Sequence, residues 1–504
     1  MQVLFYLLLL RIIVNRCFQI TWEFLYNNSF NMNQMKKHLV AILVLCMFWA
    51  PVSVLAQKKD PIPLKYGAQR IGKRTDEAMQ QWRDNKFGQF IHFGLYSLLG
   101  GYYNGKCYNG AAEWIKSSAR IPNAEYEKLV SQMALPKFDA KEWARIAKQM
   151  GVKYSVITTK HHEGFCLWPS KYTDYTIANT PYGKDLLKEY VDAYNAEGID
   201  VYFYFSIIDW NNKDWRSSIK SKEDSLAFER FKKFTLNQVE ELITNYPTVK
   251  GFWFDGTWDA SMVKSGSFTY DIEKKMHELK PDIICGSRLR VDERGARHFD
   301  SNKNLMGDYE QGWERSLPDK PLPNDWEAVM TVPENQWGYH ANWQGHIKSA
   351  NEIIEMIAKA TSLDGNFVLN FGPKGDGGIR KEEQDLAKNI GKWMAVNGEA
   401  IYNCGMASFK EQKWGYFTAN KESKALYMII TNHPATGQLK VNVPQGTVID
   451  QCVPLNSKTP LKLQKSTKNE YVIEAPKAKM NEIYVLKLTL KKGDSVGNYV
   501  APKM

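Results

Sequence analysis

A chain of 504 residues is too long for one typical domain and suits a large barrel with something smaller attached. Its 44% apolar and 24% charged residues are ordinary for a folded soluble protein, so the capacity to bury a core is not in question. The formal charge of +11 is mixed through the sequence, with no like-charged block and no aromatic-interleaved basic stripe, which argues against a nucleic-acid partner.

The chain begins with a stretch to be set aside. Met1–Phe30 is apolar and irregular, and translation is expected to start at Met32 or Met35, with a genuine anchor as the alternative reading of this stretch. Met35-Lys36-Lys37-His38 is a short basic start, followed by the apolar run Leu39–Ala50 and then by Val54-Leu55-Ala56. A basic region, an apolar region and small residues at −3 and −1 are what a secretory signal needs, so cleavage is expected after Ala56. The run is too short for a stable membrane span in the mature chain. Removing the leader takes Arg11, Arg16, Lys36, Lys37 and Glu23 with it and lowers the charge to +8. The remaining Cys107, Cys166, Cys285, Cys404 and Cys452 are odd in number and form no C-x-x-C pair, so neither a disulfide framework nor a zinc ribbon is indicated. Export with few disulfides fits a periplasm.

From Lys86 to about Trp393, short apolar runs alternate with amphipathic stretches. The runs predict strands at Gln89–Leu95, Tyr154–Thr159, Val201–Ser206, Gly251–Asp255, Ile283–Arg288, Leu305–Tyr309, Val329–Thr331 and Asn366–Phe371. Helices are expected at Lys141–Gln149, Lys184–Ala196, Ser225–Thr244, Asp271–Leu279 and Ala350–Thr361. About eight strand–helix repeats predict a (β/α)₈-type barrel. After Ile401 the helical period vanishes. Tyr416–Ala419, Ala425–Thr431, Gln438–Val443, Thr447–Cys452 and Ile483–Leu488 read as short strands, with a turn at Asn469-Glu470. They predict a C-terminal antiparallel β-sandwich. The expected organisation is therefore a leader at 1–56, a catalytic barrel at 57–400 and a β-sandwich at 401–504.

A barrel carries its functional groups at the C-terminal ends of its strands. The polar residues ending the apolar runs are His92, Lys160-His161-His162-Glu163, Tyr204, Asp255, Arg288, and then Asp308, Glu310 and Glu314. Six strands ending in ionisable groups argue for one convergent site. Asp255, after Phe252-Trp253-Phe254 and before Gly256, is the sharpest position, with a helix N-cap as its alternative role. Asp259 is a weaker carboxylate on the same loop. For His161 and His162 three readings stand open: metal ligation, hydrogen bonds to sugar hydroxyls, or buried structural histidines. The 16 Trp, 26 Tyr and 23 Phe hint at carbohydrate, because aromatic faces pack against the C–H faces of sugars.

Several of these segments resemble one family. Lys86-Phe87-Gly88-Gln89-Phe90-Ile91-His92-Phe93-Gly94 is similar to the first-strand motif of glycoside hydrolase family 29, the α-L-fucosidases. Glu113-Trp114-Ile115, Thr159-Lys160-His161-His162-Glu163-Gly164-Phe165 and Trp253-Phe254-Asp255-Gly256 resemble its Glu-Trp, double-histidine and nucleophile motifs. Trp326-Glu327 and Gln336-Trp337-Gly338-Tyr339 also resemble family segments. The motifs fall in the family's order and span roughly Lys65 to the end.

The resemblance implies a retaining exo-α-L-fucosidase acting on fucosylated oligosaccharides or glycoconjugates, without metal or cofactor. Asp255 is the expected nucleophile. His92, Glu113, Trp114, His161, His162, Tyr204, Trp253 and Arg288 are expected to contact the sugar, and Trp337 to lie near its C5 methyl. The acid/base belongs on a variable loop after strand six. Close bacterial members favour Glu314 there, with Glu310 as the alternative. A metal-dependent hydrolase built on His92, His161, His162 and Asp255, a non-catalytic fucose-binding barrel, and a related 6-deoxy or galacto-configured substrate are the competing readings.

Overall fold

The computed structural model describes residues 60–343, 345–457, 459–476 and 482–497. The chain separates into two compact units, Met1–Pro61 and Ile62–Met504. The leader, with its expected start and cleavage points, lies outside the described residues.

Eight parallel strands form one curled sheet: β1 (Phe87–Ile91), β2 (Tyr154–Lys160), β3 (Asp200–Ser206), β4 (Gly251–Asp255), β5 (Ile284–Cys285), β6 (Glu310–Glu314), β7 (Trp326–Thr331) and β8 (Asn366–Phe371). Their order is β5-β4-β3-β2-β1-β8-β7-β6, and a parallel bridge between Gly286 and Tyr309 joins the two outer strands into a ring. Strands β1, β2, β4, β7 and β8 are buried along their whole length. That is the reason they read as continuous apolar runs: helices cover one face and the barrel lumen covers the other.

Helix α1 (Glu77–Asn85) precedes the barrel. Its Met79 and Trp82 pack with Phe90, Tyr154, Tyr202, Tyr309 and Val368 in the lumen core. Outside lie α2 (Ala140–Met150), α3 (Leu186–Ala196), α4 (Lys222–Asn245), α5 (Gly266–Leu279), α6 (Ala350–Ser362) and α7 (Lys381–Asn397). Side chains of Asp139, Asp185 and Ser221 accept from the first-turn amides of α2, α3 and α4. Ser349 and Glu352 close a capping box on α6. Sequence reading missed α1 and α7.

Strands five and six depart from expectation. The run Ile283–Arg288 is a strand only at Ile284–Cys285 and then tightens into a 3₁₀ turn at Ser287–Leu289. The run Leu305–Tyr309 is not a strand; the sixth strand is Glu310–Glu314. Leu305 instead bridges antiparallel to Phe299, and Gly307 turns the chain at φ +90°. Among the described residues no helix longer than that 3₁₀ turn follows β5, and none follows β6. The N-terminal segment takes the place of the missing fifth helix. Backbone amides of Ile62, Lys65, Tyr66 and Ala68 donate to Asn302, Glu293 and Asp300 on the β5–β6 loop.

After the 3₁₀ turn Gly398–Ala400, antiparallel strands take over. A five-stranded sheet has the order β9 (Cys404–Met406), β10 (Gly415–Asn420), β11 (Leu426–Ile430), β16 (Tyr484–Lys492), β13 (Val448–Pro454). A three-stranded sheet pairs β12 (Gln438–Asn442), β15 (Glu470–Glu474) and β14 (Leu463–Thr467). The expected turn at Asn469-Glu470 is the β14–β15 hairpin, closed by Lys468-Asn469. Its strands were missed because β14 is polar and largely exposed. Alternation along β11 divides two cores. Tyr427 and Ile429 join the core beneath the barrel helices, whereas Leu426, Met428 and Ile430 face Leu439, Val441 and Ile473 inside the sandwich.

Candidate active site

Strand β4 sets the geometry. Side chains alternate along it, so Phe252 and Phe254 point into the outer core while Trp253 and Asp255 face the lumen side. Beyond Asp255 the chain must swing away. Gly256 has φ +88°, and a Cβ there would sit 2.8 Å from Ile208, so the turn requires glycine. Asp255 is not a helix cap: the next helical turn starts at Ala260, and its N-cap residue is Asp259, which makes no side-chain cap bond. Asp259 stays off the cavity.

Both oxygens of Asp255 are held. Oδ1 accepts from Arg288 Nη2 at 2.6 Å, and Oδ2 accepts from the Tyr204 hydroxyl at 3.0 Å. Burial pushes this carboxyl upward, but Arg288 and the Tyr204 hydrogen bond outweigh it and leave the group below its ordinary range. The second terminal nitrogen of Arg288 pairs with Glu314. One guanidinium, just past β5, therefore bridges two carboxyls from the strands on either side of it, β4 and β6. Glu314 moves the other way: burial and the charge of Asp255 raise it, against the pull of Arg288. Two carboxyls with environments pushing them apart can divide acid and base or nucleophile roles between them.

The histidines are oriented by neighbours that sequence reading did not name. Asn370 donates to the Trp337 carbonyl at 2.7 Å, which leaves its Oδ1 to accept from His92 Nδ1 at 2.6 Å. Ser206 donates to the Ile208 carbonyl and so accepts from His162 Nδ1 at 2.6 Å. Burial drives His92 down to about 3, His162 to about 4 and His161 well below its usual value, so all three rings are neutral. In His92 and His162 the proton sits on Nδ1, leaving Nε2 a bare acceptor. His161 Nδ1 is buried without a partner, as are Glu113 Oε1 and Arg288 Nε. Buried polar atoms without partners, clustered at one cavity, call for a polar ligand. Among the described residues no three His, Cys, Asp or Glu side chains form a metal-ligating group, so the metal reading of the histidine pair has no donor set behind it.

All eleven predicted site residues, His92, Glu113, Trp114, His161, His162, Tyr204, Trp253, Asp255, Arg288, Glu314 and Trp337, line one cavity of about 110 Å³. Phe90, Val329 and Trp258 complete it. Trp258, three residues past Asp255, stacks with Trp114 at 6.4 Å and meets His162 edge-on at 5.4 Å. Its position on the loop that follows Asp255 was the available signal. Glu113 is fixed by the Gly338 amide at 2.9 Å, and burial lifts it to about 7.

Other strand-end groups do not converge here. Lys160 pairs with Asp209 and Gln238. Glu163 accepts from the Leu95 amide and the Tyr126 hydroxyl. Asp308 is locked by Arg70, Arg74 and the Cys285 amide. Glu310 accepts from the Trp313 indole at 3.1 Å and lies outside the cavity.

Comparison with known proteins bears on this cavity. A family model described as alpha-L-fucosidase matches residues 53–399. The alpha-L-fucosidase of Dictyostelium discoideum is 27% identical over 390 residues, 72% of this chain and 80% of that protein. A crystal structure of an alpha-L-fucosidase GH29 from Bacteroides thetaiotaomicron is 54% identical, covers 86% of this chain and 98% of its own, and superposes with a TM-score of 0.84. A trapped covalent intermediate from the same organism, in complex with 2-fluoro-fucosyl fluoride, is 53% identical over 86% of this chain and 100% of its own, also with a TM-score of 0.84.

Proposed function

This chain belongs to the α-L-fucosidase family, glycoside hydrolase family 29, and from that premise we propose how its cavity works. It is a glycoside hydrolase that releases terminal α-L-fucose with retention of configuration, through a covalent fucosyl-enzyme. Asp255 is the nucleophile and Glu314 the acid/base.

In the first step Asp255 attacks the anomeric carbon. The C1–O bond breaks, and the departing oxygen takes the proton of Glu314. In the second step Glu314 removes a proton from water, which attacks C1 and releases Asp255. Arg288 and Tyr204 keep Asp255 ionised and aimed before attack, so no reorganisation is needed during it. The neutral rings of His92 and His162 offer acceptors to sugar hydroxyls, and His161 Nδ1 and Glu113 Oε1 offer two further unpartnered atoms. Trp337, 5.3 Å from His92 between ring centroids, supplies an apolar wall for the C5 methyl.

The observation that carries these assignments is that one guanidinium holds both Asp255 and Glu314, with the former shifted down and the latter up. Inactivation with 2-fluoro-fucosyl fluoride followed by peptide mass spectrometry tests it. The expected label is one fluorofucosyl group on Asp255, and a label on any other residue removes the assignment.

The site of action is proposed from the leader alone: the basic start at Met35–His38, the apolar run Leu39–Ala50 and Val54-Leu55-Ala56 support export, cleavage after Ala56 and a periplasmic enzyme. N-terminal sequencing of enzyme from the periplasmic fraction checks it, with Gln57 as the expected first residue. Among the described residues no helix is long and apolar enough to cross a membrane.

A further inference from the structure

The Trp326-Glu327 segment is the one family-like motif that the mechanism above leaves without work. Trp326 is buried against the outer helical layer, with its indole N–H donated to the Leu363 carbonyl at 3.1 Å. Glu327, its neighbour on β7, points the other way. It is 2% exposed among the aromatic side chains of the lumen, beneath the substrate cavity.

A carboxyl in such a place is expensive, and burial lifts this one to about 7. Its two oxygens divide their work. Oε2 accepts from the Tyr154 hydroxyl at 2.7 Å, and Oε1 accepts from the Trp253 indole N–H at 3.2 Å. The second bond pins a ring that lies directly under the reacting groups. The Arg288 guanidinium rests over the Trp253 ring at 4.8 Å, and the Tyr204 ring stacks on it at 5.6 Å with a 22° tilt. Arg288 and Tyr204 are the two residues that grip the two oxygens of Asp255. A swing of the Trp253 ring would therefore move both grips together. A Leu at position 327 would fill the space without the desolvation cost, but it would leave the indole N–H unpaired and the ring free to settle elsewhere.

We propose that Glu327 is a positioning residue for the fucosidase reaction: by fixing the plane of Trp253 it sets the seat on which Arg288 and Tyr204 hold the nucleophile Asp255. This rests on the fucosidase assignment. It adds a link from the floor of the barrel, through Tyr154, Glu327 and Trp253, to the attacking oxygen.

A double-mutant cycle on an aryl α-L-fucoside tests the link. Glu327→Leu is expected to lower kcat/KM about 30-fold, mostly in kcat, and to move the acidic limb of the pH profile upward as Asp255 loses its grips. In a Trp253→Phe background, which has no indole N–H to hold, the same change is expected to cost about 3-fold or less. Glu327→Gln keeps one acceptor, so it is expected to lose only about 5-fold in the Trp253 background and nothing in the Phe background; it carries the test if the Leu variant does not fold. Equal fold-losses in both backgrounds, or lost activity with an unmoved acidic limb, would overturn the proposal and leave Glu327 as a packing residue. Wild-type enzyme assayed in parallel separates the two readings, because absence of turnover there counts against the fucosidase assignment and not against this link.

Discussion

Arg288 Nη2 lies 2.6 Å from Oδ1 of Asp255, and this contact is the main attraction that keeps the proposed nucleophile ionised. Lysine keeps the charge but cannot reach two carboxyls with two parallel donors. Arg288→Lys is therefore expected to lower kcat/KM by roughly 10- to 100-fold, the cost of one charge-assisted hydrogen bond. The sign on the pH profile follows from the direction of the shift. Arg288 holds Asp255 below its ordinary value, so weakening it raises the nucleophile's pKa and moves the acidic limb of kcat/KM upward. An unmoved limb would show that Arg288 does not set that charge.

Asp255→Ala removes the attacking oxygen while leaving Arg288 paired with Glu314. Turnover of an aryl α-L-fucoside is expected to fall by about three orders of magnitude or more, with little change in Tm. Measurable activity near the wild-type level would end the nucleophile assignment.

The acid/base assignment separates Glu314 from Glu310 by position. Glu314 lines the cavity and pairs with Arg288, whereas Glu310 is spent on the Trp313 indole. In Glu314→Ala the fucosyl-enzyme forms from a substrate with a good leaving group, but water lacks its base. Added azide, which needs no base, is then expected to restore turnover about 10- to 100-fold and to yield a fucosyl azide. Glu310→Ala is expected to keep activity within about threefold. If azide rescues Glu310→Ala and not Glu314→Ala, the two roles exchange.

Stability against pH should show a plateau with two falling sides. Burial raises Glu113, Glu163 and Glu327 to about 7 and Glu383 to about 8. The native state thus holds protons that the unfolded chain releases above about 4.5, and these groups make stability fall as pH rises from 4.5 to 8. Burial lowers His92 and His298 to about 3, His162 to about 4 and His161 further below its usual value. For these the unfolded chain holds the extra protons, so they make stability fall as pH drops below 6.5. Between about 4.5 and 6.5 the two sets oppose each other. Tm is expected to be nearly flat there, to fall from 6.5 to 8, and to fall below 4.5. A Tm that rises steadily from pH 5 to 8 would contradict this balance.

Much of the site was legible because barrel chemistry sits where apolar runs stop. His92, His161, His162, Asp255 and Arg288 each follow such a run, and the resemblance supplied Glu113, Trp114 and Trp337, which lie off the strand ends. The same rule also gathered Lys160, Glu163 and Asp308, which the structure sends to separate ion pairs and hydrogen bonds. A strand-end position places the backbone of a residue at the mouth of the barrel, but the rotamer and its partners decide whether the side chain enters the cavity.

The sixth strand shows where one-dimensional reading fails. Leu305–Tyr309 is apolar enough to read as a strand. Gly307, the Phe299–Leu305 bridge, and Arg70 and Arg74, which donate to the Gly307 carbonyl and to Asp308, hold that stretch as a loop instead, and β6 falls on the polar Glu310–Glu314. Those partners lie far away in the chain and leave no local pattern. Asn370 and Ser206 were missed for the same reason: each matters only through the histidine it meets from the neighbouring strand.

What the sequence by itself determined is the period. Buried parallel strands alternating with helices, then short alternating strands, specify a barrel and a sandwich, because each element must hide one face or both. What only the tertiary structure decided is the state of the charges. Asp255 is ionised because Arg288, from the turn after β5, and Tyr204, from β3, reach its two oxygens; Glu314 is driven the other way by its burial beside that same carboxylate. Proton affinity depends on what surrounds a group in space, and folding alone assembles those surroundings.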